Sequence, residues 1–347
     1  MRYEVYKADF SNRYSISHAI TIMTTRSYND VGTFTLVVPA DEYHANAIEK
    51  NGLLYEVESG ESYTIQNVVY DNEANELTAH GYTANWLLNK RCVKTKDKVK
   101  AIPADVYKVV KDNLRDLPRV SVSEAVGVAD EESEEADIYT KQVLDGIMPI
   151  LAENEWGNRM VWDDDTLSHT FEVYKGEDLT TGIHGVVFSE FRGSAKSLVM
   201  NDDDSMFKNY FYLNYKLKSD SSEADDRVYE LGTDDLEDKR EYWLGGSQKQ
   251  KDDETEAQFM DRLKWTCKEE AERRLRRTSF SVIIDSDELG KVYNLGDKVV
   301  CLSERLGVSF EARINSVSFK MDANGSSTSI MLGEPTLTAI GEVLLKK

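Results

Sequence analysis

The sequence predicts a mainly β protein with an α+β insert: two antiparallel β-barrel-like domains, one at each end, flanking a smaller mixed domain. Three observations carry this expectation. Short runs at both ends alternate apolar and polar residues with period two, as half-buried strands do. Turn residues, chiefly Gly, Asn and Asp, separate those runs at short spacing. The middle of the chain changes to helix-period segments followed by a hairpin pattern, which marks α+β structure.

The first β domain is expected over residues 1–91. Arg2–Lys7 alternates through Tyr3 and Val5, and Tyr14–Met23 carries Ile16, Ile20 and Ile22. Gly32–Pro39 reads as a strong strand with Phe34, Leu36 and Val38 on one face. Asp41–Lys50 is a short helix-like insert ending near Asn51-Gly52, and strands follow at Leu53–Val57, Glu61–Tyr70 and Glu76–Ala79. About six strands so closely spaced point to a barrel or small sandwich. Gly81–Leu88 then turns into a short helix, closed by Asn89-Lys90-Arg91.

The mixed domain is expected over residues 92–180. Val106, Val109, Val110 and Leu114 give Pro103–Asn113 an apolar face. Val122–Glu135 is acidic and reads as an exposed loop. Thr140–Asn154 forms a second helix through Val143, Leu144, Ile147 and Leu151, bent or broken near Pro149. Asn158–Trp162 and Thr170–Tyr174 flank Asp163-Asp164-Asp165-Thr166 as a hairpin.

The second β domain, residues 181–347, contains strands at Val186–Phe188, Ala195–Asn201, Phe207–Lys216 and Asp226–Glu230, with an accessory part. A long charged helix over 254–277 places Leu263, Cys267, Ala271 and Leu275 on one face at steps of four, with Met260 added. After it, Val282 and Ile284, Val299 and Cys301, Phe310 through Ile314, Val317 through Met321, and Ile330 and Leu332 alternate as strands. Asn324-Gly325 tolerates the positive φ that a tight hairpin needs. Each β domain places a helix near its strands, which leaves room for a weak internal duplication.

With 347 residues and 40% apolar content, the chain has room for two to four compact units with lean cores. Its net charge of −21 argues against a basic nucleic-acid surface and against anionic membranes. Such acidity either confers solubility or builds a surface that repels polyanions. Cys92, Cys267 and Cys301 are far apart and odd in number, so they read as reduced core residues, not a disulfide framework. No apolar run approaches a membrane span and no signal peptide is indicated, so the expectation is a soluble chain made in a cytosol.

Catalytic and cofactor signatures are missing from the sequence. It has no GxxxxGK[ST], GxGxxG after a strand, HExxH or GxSxG. His18, His44, His80, His169 and His184 share no metal-ligand spacing, and Cys92 with His80 lacks an orienting third group. Asp163-Asp164-Asp165 and Asp202-Asp203-Asp204 offer calcium-type oxygens but miss EF-hand spacing and read as turns. Asp322 and Asn324 are turn residues. Glu269, Glu270 and Glu272 stand four residues before Arg273, Arg274 and Arg276, giving helix-surface ion pairs. No catalytic, cofactor-binding or metal residue is assigned. The aromatic stretches Phe207–Tyr215 and Tyr242–Trp243 fit either a protein interface or a barrel core.

Several stretches resemble the tail hub proteins of siphophages and prophages of Gram-positive bacteria, the structural N-terminal part of tail-associated lysins. These are GTFTLVVPAD from Gly32, LTAHGYTANWLLNKRCV from Leu77, VVFSEFRGSAKSLVMNDDDSMFKNYFYL from Val186, DKREYW from Asp238 and YNLGDKVVCLSERLGVSFEARINSVSF from Tyr293. No single motif is diagnostic, but their order spans nearly the whole chain. The resemblance implies a homotrimer whose β-barrel domains form a pseudo-sixfold ring, adapting a sixfold tail tube to a threefold tip. It implies a virion protein of the tail tip, made in the host bacterial cytoplasm. The implied partners are distal tail or baseplate proteins, tail tube and tape measure proteins, and a tip or spike protein. DNA would transit without specific binding, and no membrane insertion is implied. Many members carry a further peptidoglycan-cleaving or receptor-binding region, whereas this sequence stops soon after the hub, which favours a structural, cofactor-free role over catalysis. A tail-associated peptidoglycan hydrolase and a carbohydrate-binding module are the alternatives.

Overall fold

The computed structural model describes residues 2–124, 129–182, 185–191, 194–219, 227–232, 237–274, 277–284, 288–305 and 307–333. The chain divides into two compact units, one of residues 1–199 with 280–333 and one built on 200–279. Among the described residues no helix is long and apolar enough to cross a membrane.

In the first unit the N-terminal half comprises β1 (Tyr3–Tyr6), β2 (Arg13–Ile16), β3 (Thr21–Ser27), β4 (Thr33–Pro39), α1 (Glu42–Ala47), β5 (Leu53–Glu56), β6 (Glu61–Asp71), β7 (Glu76–Thr83) and a 3-10 turn, Ala84–Lys90. The mixed segment adds β8 (Asp97–Ile102), α2 (Ala104–Asn113), β9 (Val120–Val122), β10 (Glu131–Ile138), α3 (Val143–Glu153), β11 (Gly157–Asp163) and β12 (Ser168–Tyr174). Then come β13 (Val187–Ser189) and β14 (Ser197–Asp203), where the chain leaves this unit. The second unit holds β15 (Tyr210–Lys216), β16 (Arg227–Leu231), β17 (Glu241–Lys249) and α4 (Glu256–Glu272). The chain returns along β18 (Arg277–Ile284) and ends its described course with β19 (Lys298–Ser303), β20 (Val308–Asp322) and β21 (Gly325–Gly333).

One large sheet of order β14-β18-β21-β20-β3-β4-β7-β6-β5-β1-β2 organises the first unit, with β19 beside β20 and β13 beside β19. The N- and C-terminal strands share it: β20 lies antiparallel to β3, from Ser316 opposite Ser27 to Met321 opposite Ile22. The β-barrel expectation is thereby corrected, because among the described residues none of the sheets closes on itself. Period two decides which side chains face the core, not which edge strands meet. The alternation itself is obeyed: Phe34, Leu36 and Val38 are buried, as are Val299 and Cys301. The hairpin lies one residue before the Asn-Gly pair: Ala323 and Asn324 form the two-residue turn between Asp322 and Gly325, and Gly325 opens the return strand at φ +116.

Three further boundaries differ from expectation. Tyr14–Met23 is two strands, not one, with β2 pairing β1 and β3 pairing β4. The acidic stretch is not all loop, since Glu131–Ile138 pairs with β8 and buries Ile138 beside Val99 and Ile102. The long helix stops at Glu272, capped at its start by a Thr255–Gln258 capping box, and Arg277 already belongs to β18. Leu275 and Arg276 lie outside the described residues. The helix α3 continues through Pro149.

Tyr28 ties the first unit together. It is fully buried just after β3, and its backbone N–H donates to Asn315 in β20 while its carbonyl accepts from Asn158 in β11. Its hydroxyl lies 2.9 Å from the Glu155 carbonyl, 3.2 Å from the Tyr174 carbonyl, and accepts from Gly176 N–H at 3.1 Å. Gly157 and Gly296 press against its ring, where a Cβ at either would come within 2.3 Å of a ring carbon. Only glycine allows that approach, and Gly296 at φ +98 also needs the left-handed backbone. Tyr28→Phe keeps the ring and strands the Gly176 N–H. Urea unfolding should show a loss of about 1–3 kcal/mol, and no loss would mean the hydroxyl is dispensable.

Candidate functional site

The second unit is a three-stranded sheet, β16-β15-β17, with α4 packed on one face. Strand alternation sorts its aromatic residues. Phe211, Leu213 and Leu244 are buried with Phe259, Leu263 and Cys267 of α4, and Tyr215, Tyr229 and Tyr242 pack against the same cluster. Tyr210, Tyr212, Val228 and Trp243 alternate with these and stand on the opposite face.

That second face is aromatic and partly open, with Tyr210 buried and Val228 and Trp243 exposed. Tyr212 stacks on Trp243 with ring centroids 5.2 Å apart, and Trp243 is 51% exposed. Tyr210 lies 5.3 Å from Tyr212, with the Lys239 ammonium 3.5 Å above its ring. The hydroxyls are fixed at the rim: Tyr210 donates to Glu230 at 2.8 Å and Tyr212 to Glu241 at 2.7 Å. An exposed aromatic centre with a hydrogen-bonded charged rim has the composition of a protein interface. The core reading of Phe207–Tyr215 and Tyr242–Trp243 applies to one face only, and that core lies under α4, not inside a barrel.

The first unit contains a cleft that sequence reasoning missed. It has two lobes of about 570 Å³ and 460 Å³, which share Arg26, Ser59, Asn294 and Leu295. Glu56 and Glu61 stand directly opposite each other where β5 turns into β6. Desolvation chiefly pushes the Glu61 carboxyl up to about 7, opposed by Arg26 and reinforced by Glu56. Burial raises Glu56 as well, against the pull of Arg26. In the adjoining wall Asn85 donates to Asn158 at 2.8 Å. The signal was present in Glu56-Val57-Glu58-Ser59-Gly60-Glu61: two acids flanking four residues face each other once those four form a hairpin turn.

Other residues weighed from sequence take structural roles. His80 bonds Thr35 at 3.0 Å. His44 is buried beside Asp41, the N-cap of α1. His169 is buried, its Nε2 2.9 Å from the Ser62 hydroxyl, and burial pulls its imidazole down to about 4. His18 is exposed, next to Ser17, and His184 lies outside the described residues. Cys92 is exposed, while Cys267 and Cys301 are buried and free. Asp163 accepts the backbone N–H groups of Asp165 and Thr166, as a turn residue does. Asp203 likewise accepts from Ser205, and Asp204 pairs with Arg240. Asp322 accepts from the Asn324 N–H. Glu269–Arg273 and Glu270–Arg274 form the expected pairs. Among the described residues no group of His, Cys, Asp and Glu is arranged to hold a metal ion.

The family model described as Siphovirus ReqiPepy6 Gp37-like protein matches residues 2–334. The chain belongs to this family. Among curated proteins, none matches it. Solved structures share its fold. The prophage MuSo2 43 kDa tail protein from Shewanella oneidensis superposes with a TM-score of 0.57 at 12% identity, over 96% of this chain and 97% of that one. The tail protein from Neisseria meningitidis MC58 gives 0.56 at 11% identity, over 96% of each chain. The prophage tail protein gp18 from Listeria monocytogenes EGD-e gives 0.52 at 13% identity, over 100% of this chain and 99% of that one. At such identities the likeness is one of fold.

Two predictions follow from these geometries. Trp243→Ala removes an exposed ring and should cost the isolated fold about 1 kcal/mol or less, whereas Phe259→Ala opens the core under α4 and should cost about 3–5 kcal/mol. Thermal unfolding of both variants checks the assignment of faces. For Glu61, a folded-state value raised above the unfolded 4.5 means its proton is held more tightly in the folded protein. The stability it contributes is complete below pH 4.5 and is lost as the pH rises to about 7. Between pH 5 and 8 the parent protein should therefore lose roughly 1–3 kcal/mol more than Glu61→Gln in urea unfolding. Parallel pH profiles would overturn this.

Proposed function

We propose that the chain is a structural subunit of the phage tail, a hub at the tail tip that works by shape and not by catalysis. The match to a siphovirus family over residues 2–334 carries this reading. The tail-protein fold of the structures in the Shewanella, Neisseria and Listeria comparisons supports it. The aromatic face of the second unit supplies a surface suited to burial in an assembly.

In this reading three copies associate into a ring that matches a sixfold tail tube to a threefold tip. Distal tail or baseplate proteins, the tail tube and the tape measure protein contact one side, and a tip or spike protein the other. The ring lines the DNA passage, and a net charge of −21 keeps the polymer from adhering.

Light scattering of the purified protein, followed by negative-stain imaging, tests the proposal. Threefold rings with an open centre are the expected result, and Trp243→Ala should shift the population toward monomer. A monodisperse monomer at all concentrations reached, or clearing of bacterial cell walls by the purified protein, would overturn it.

A further inference from the structure

The cleft at the β5–β6 turn has a charge arrangement that the fold leaves incomplete. Register places Glu56 opposite Glu61, at the separation of about 4.5–5.5 Å between Cβ atoms where like charges oppose each other. Glu58 adds a third carboxylate from the turn itself, one that accepts from the Arg2 N–H at 2.7 Å. Arg26, on β3, lines both lobes and acts on both Glu56 and Glu61. Two further cations line the lobe of Glu61: Arg159, which also acts on Glu61, pairs with Glu172 and lies over the Tyr174 ring, and Lys175 pairs with Glu131. Neither Glu56 nor Glu61 forms an ion pair among the described residues.

A buried group has unmet hydrogen-bonding capacity at this cleft. Glu56 is 2% exposed; its carboxyl accepts from the Ser59 side chain, while its Oε2 has no hydrogen-bond partner among the described residues. Buried carboxylates are ordinarily paired or hydrogen-bonded, because an unmet one forfeits its solvation without return. Beside Glu56 the wall is mixed, with Leu289, Leu295, Val317 and Phe319 among Thr24, Asn294 and Thr328. Carboxylates at one end and apolar side chains in the wall beside them fit a cationic head on a hydrocarbon stem, the way long basic side chains distribute themselves. The lobe volumes fall within the range of small-molecule sites, roughly 300–1,000 Å³.

We propose that this cleft binds an organic cation of the alkylguanidinium or alkylammonium type, its head between Glu56 and Glu61 and its stem along Leu295 and Phe319. The source of that cation is either a free small molecule or an Arg or Lys side chain borne on another polypeptide. The site does not depend on the hub reading. Its occupancy is linked to protons. A cation at the pair favours the ionised carboxylates, so binding near neutral pH drives a proton off Glu61 into solution.

Isothermal titration at pH 7 in two buffers of different ionisation enthalpy tests this with the intact chain. One arm uses ethylguanidinium, and the other an acetylated, amidated Gly-Arg-Gly peptide. Saturable binding with proton release is expected, weaker at pH 5 and weakened at least tenfold in Glu56→Gln and in Glu61→Gln. Tighter binding of the peptide assigns the source to a polypeptide, and equal binding to a free cation. Absence of saturable binding in both arms, binding without proton release, or binding unchanged in both variants would overturn the proposal. Proton release is read in the parent protein, so the test survives a variant that fails to fold.

Discussion

A single buried tyrosine holds the first unit to its shape. Tyr28 touches the N-terminal strands through its own chain position, the mixed segment through Glu155, Asn158 and Tyr174, and the C-terminal strands through Asn315. The Arg313 guanidinium lies over its ring at 5.2 Å and also bonds the Gly296 carbonyl. Each of these segments has its own apolar cluster or strand pairing, but a buried polar network fixes how they meet. The glycines at 157 and 296 are the complement of that requirement, since the ring occupies the space their side chains would take. The cleft borders this junction, with Tyr174, Gly176 and Asp297 in its wall. The β5–β6 register itself keeps Glu56 and Glu61 facing each other.

The second unit is organised on simpler terms. Its core is one sheet face under one amphipathic helix, and the other face is left aromatic. Leaving Trp243 half exposed forgoes the transfer energy of burial. A surface that covered the ring would recover it, which is why the face is proposed as an interface.

How far residues alone led depended on the kind of pattern. Strands with a dry face, such as Phe34-Leu36-Val38 or Val299-Cys301, announce themselves because burial imposes the alternation. That a hairpin closes near Asn324 and Gly325 was legible for a similarly local reason, though its two turn residues are Ala323 and Asn324. What stayed hidden was decided at a distance. Whether the terminal strands curl into closed barrels or join one open sheet depends on the pairing of β20 with β3, nearly the full chain apart. Glu131–Ile138 disguised a strand because acidic residues dominate it, and its partner β8 makes it one. The aromatic run at Tyr210–Tyr215 looked ambiguous because it serves both faces of its sheet. The acidic pair at the cleft is visible only after the turn between them is known to close in register.

The chain leaves the large sheet along β14 and comes back along β18, and those strands are neighbours in the sheet order. The excursion between them is thus a cassette whose two ends enter and exit at nearly the same place, the arrangement under which insertions are best tolerated. Such a layout separates the rates at which two parts of one molecule can diverge. The scaffold can be held constant while the appended module is lengthened, exchanged or re-surfaced to suit a new neighbour.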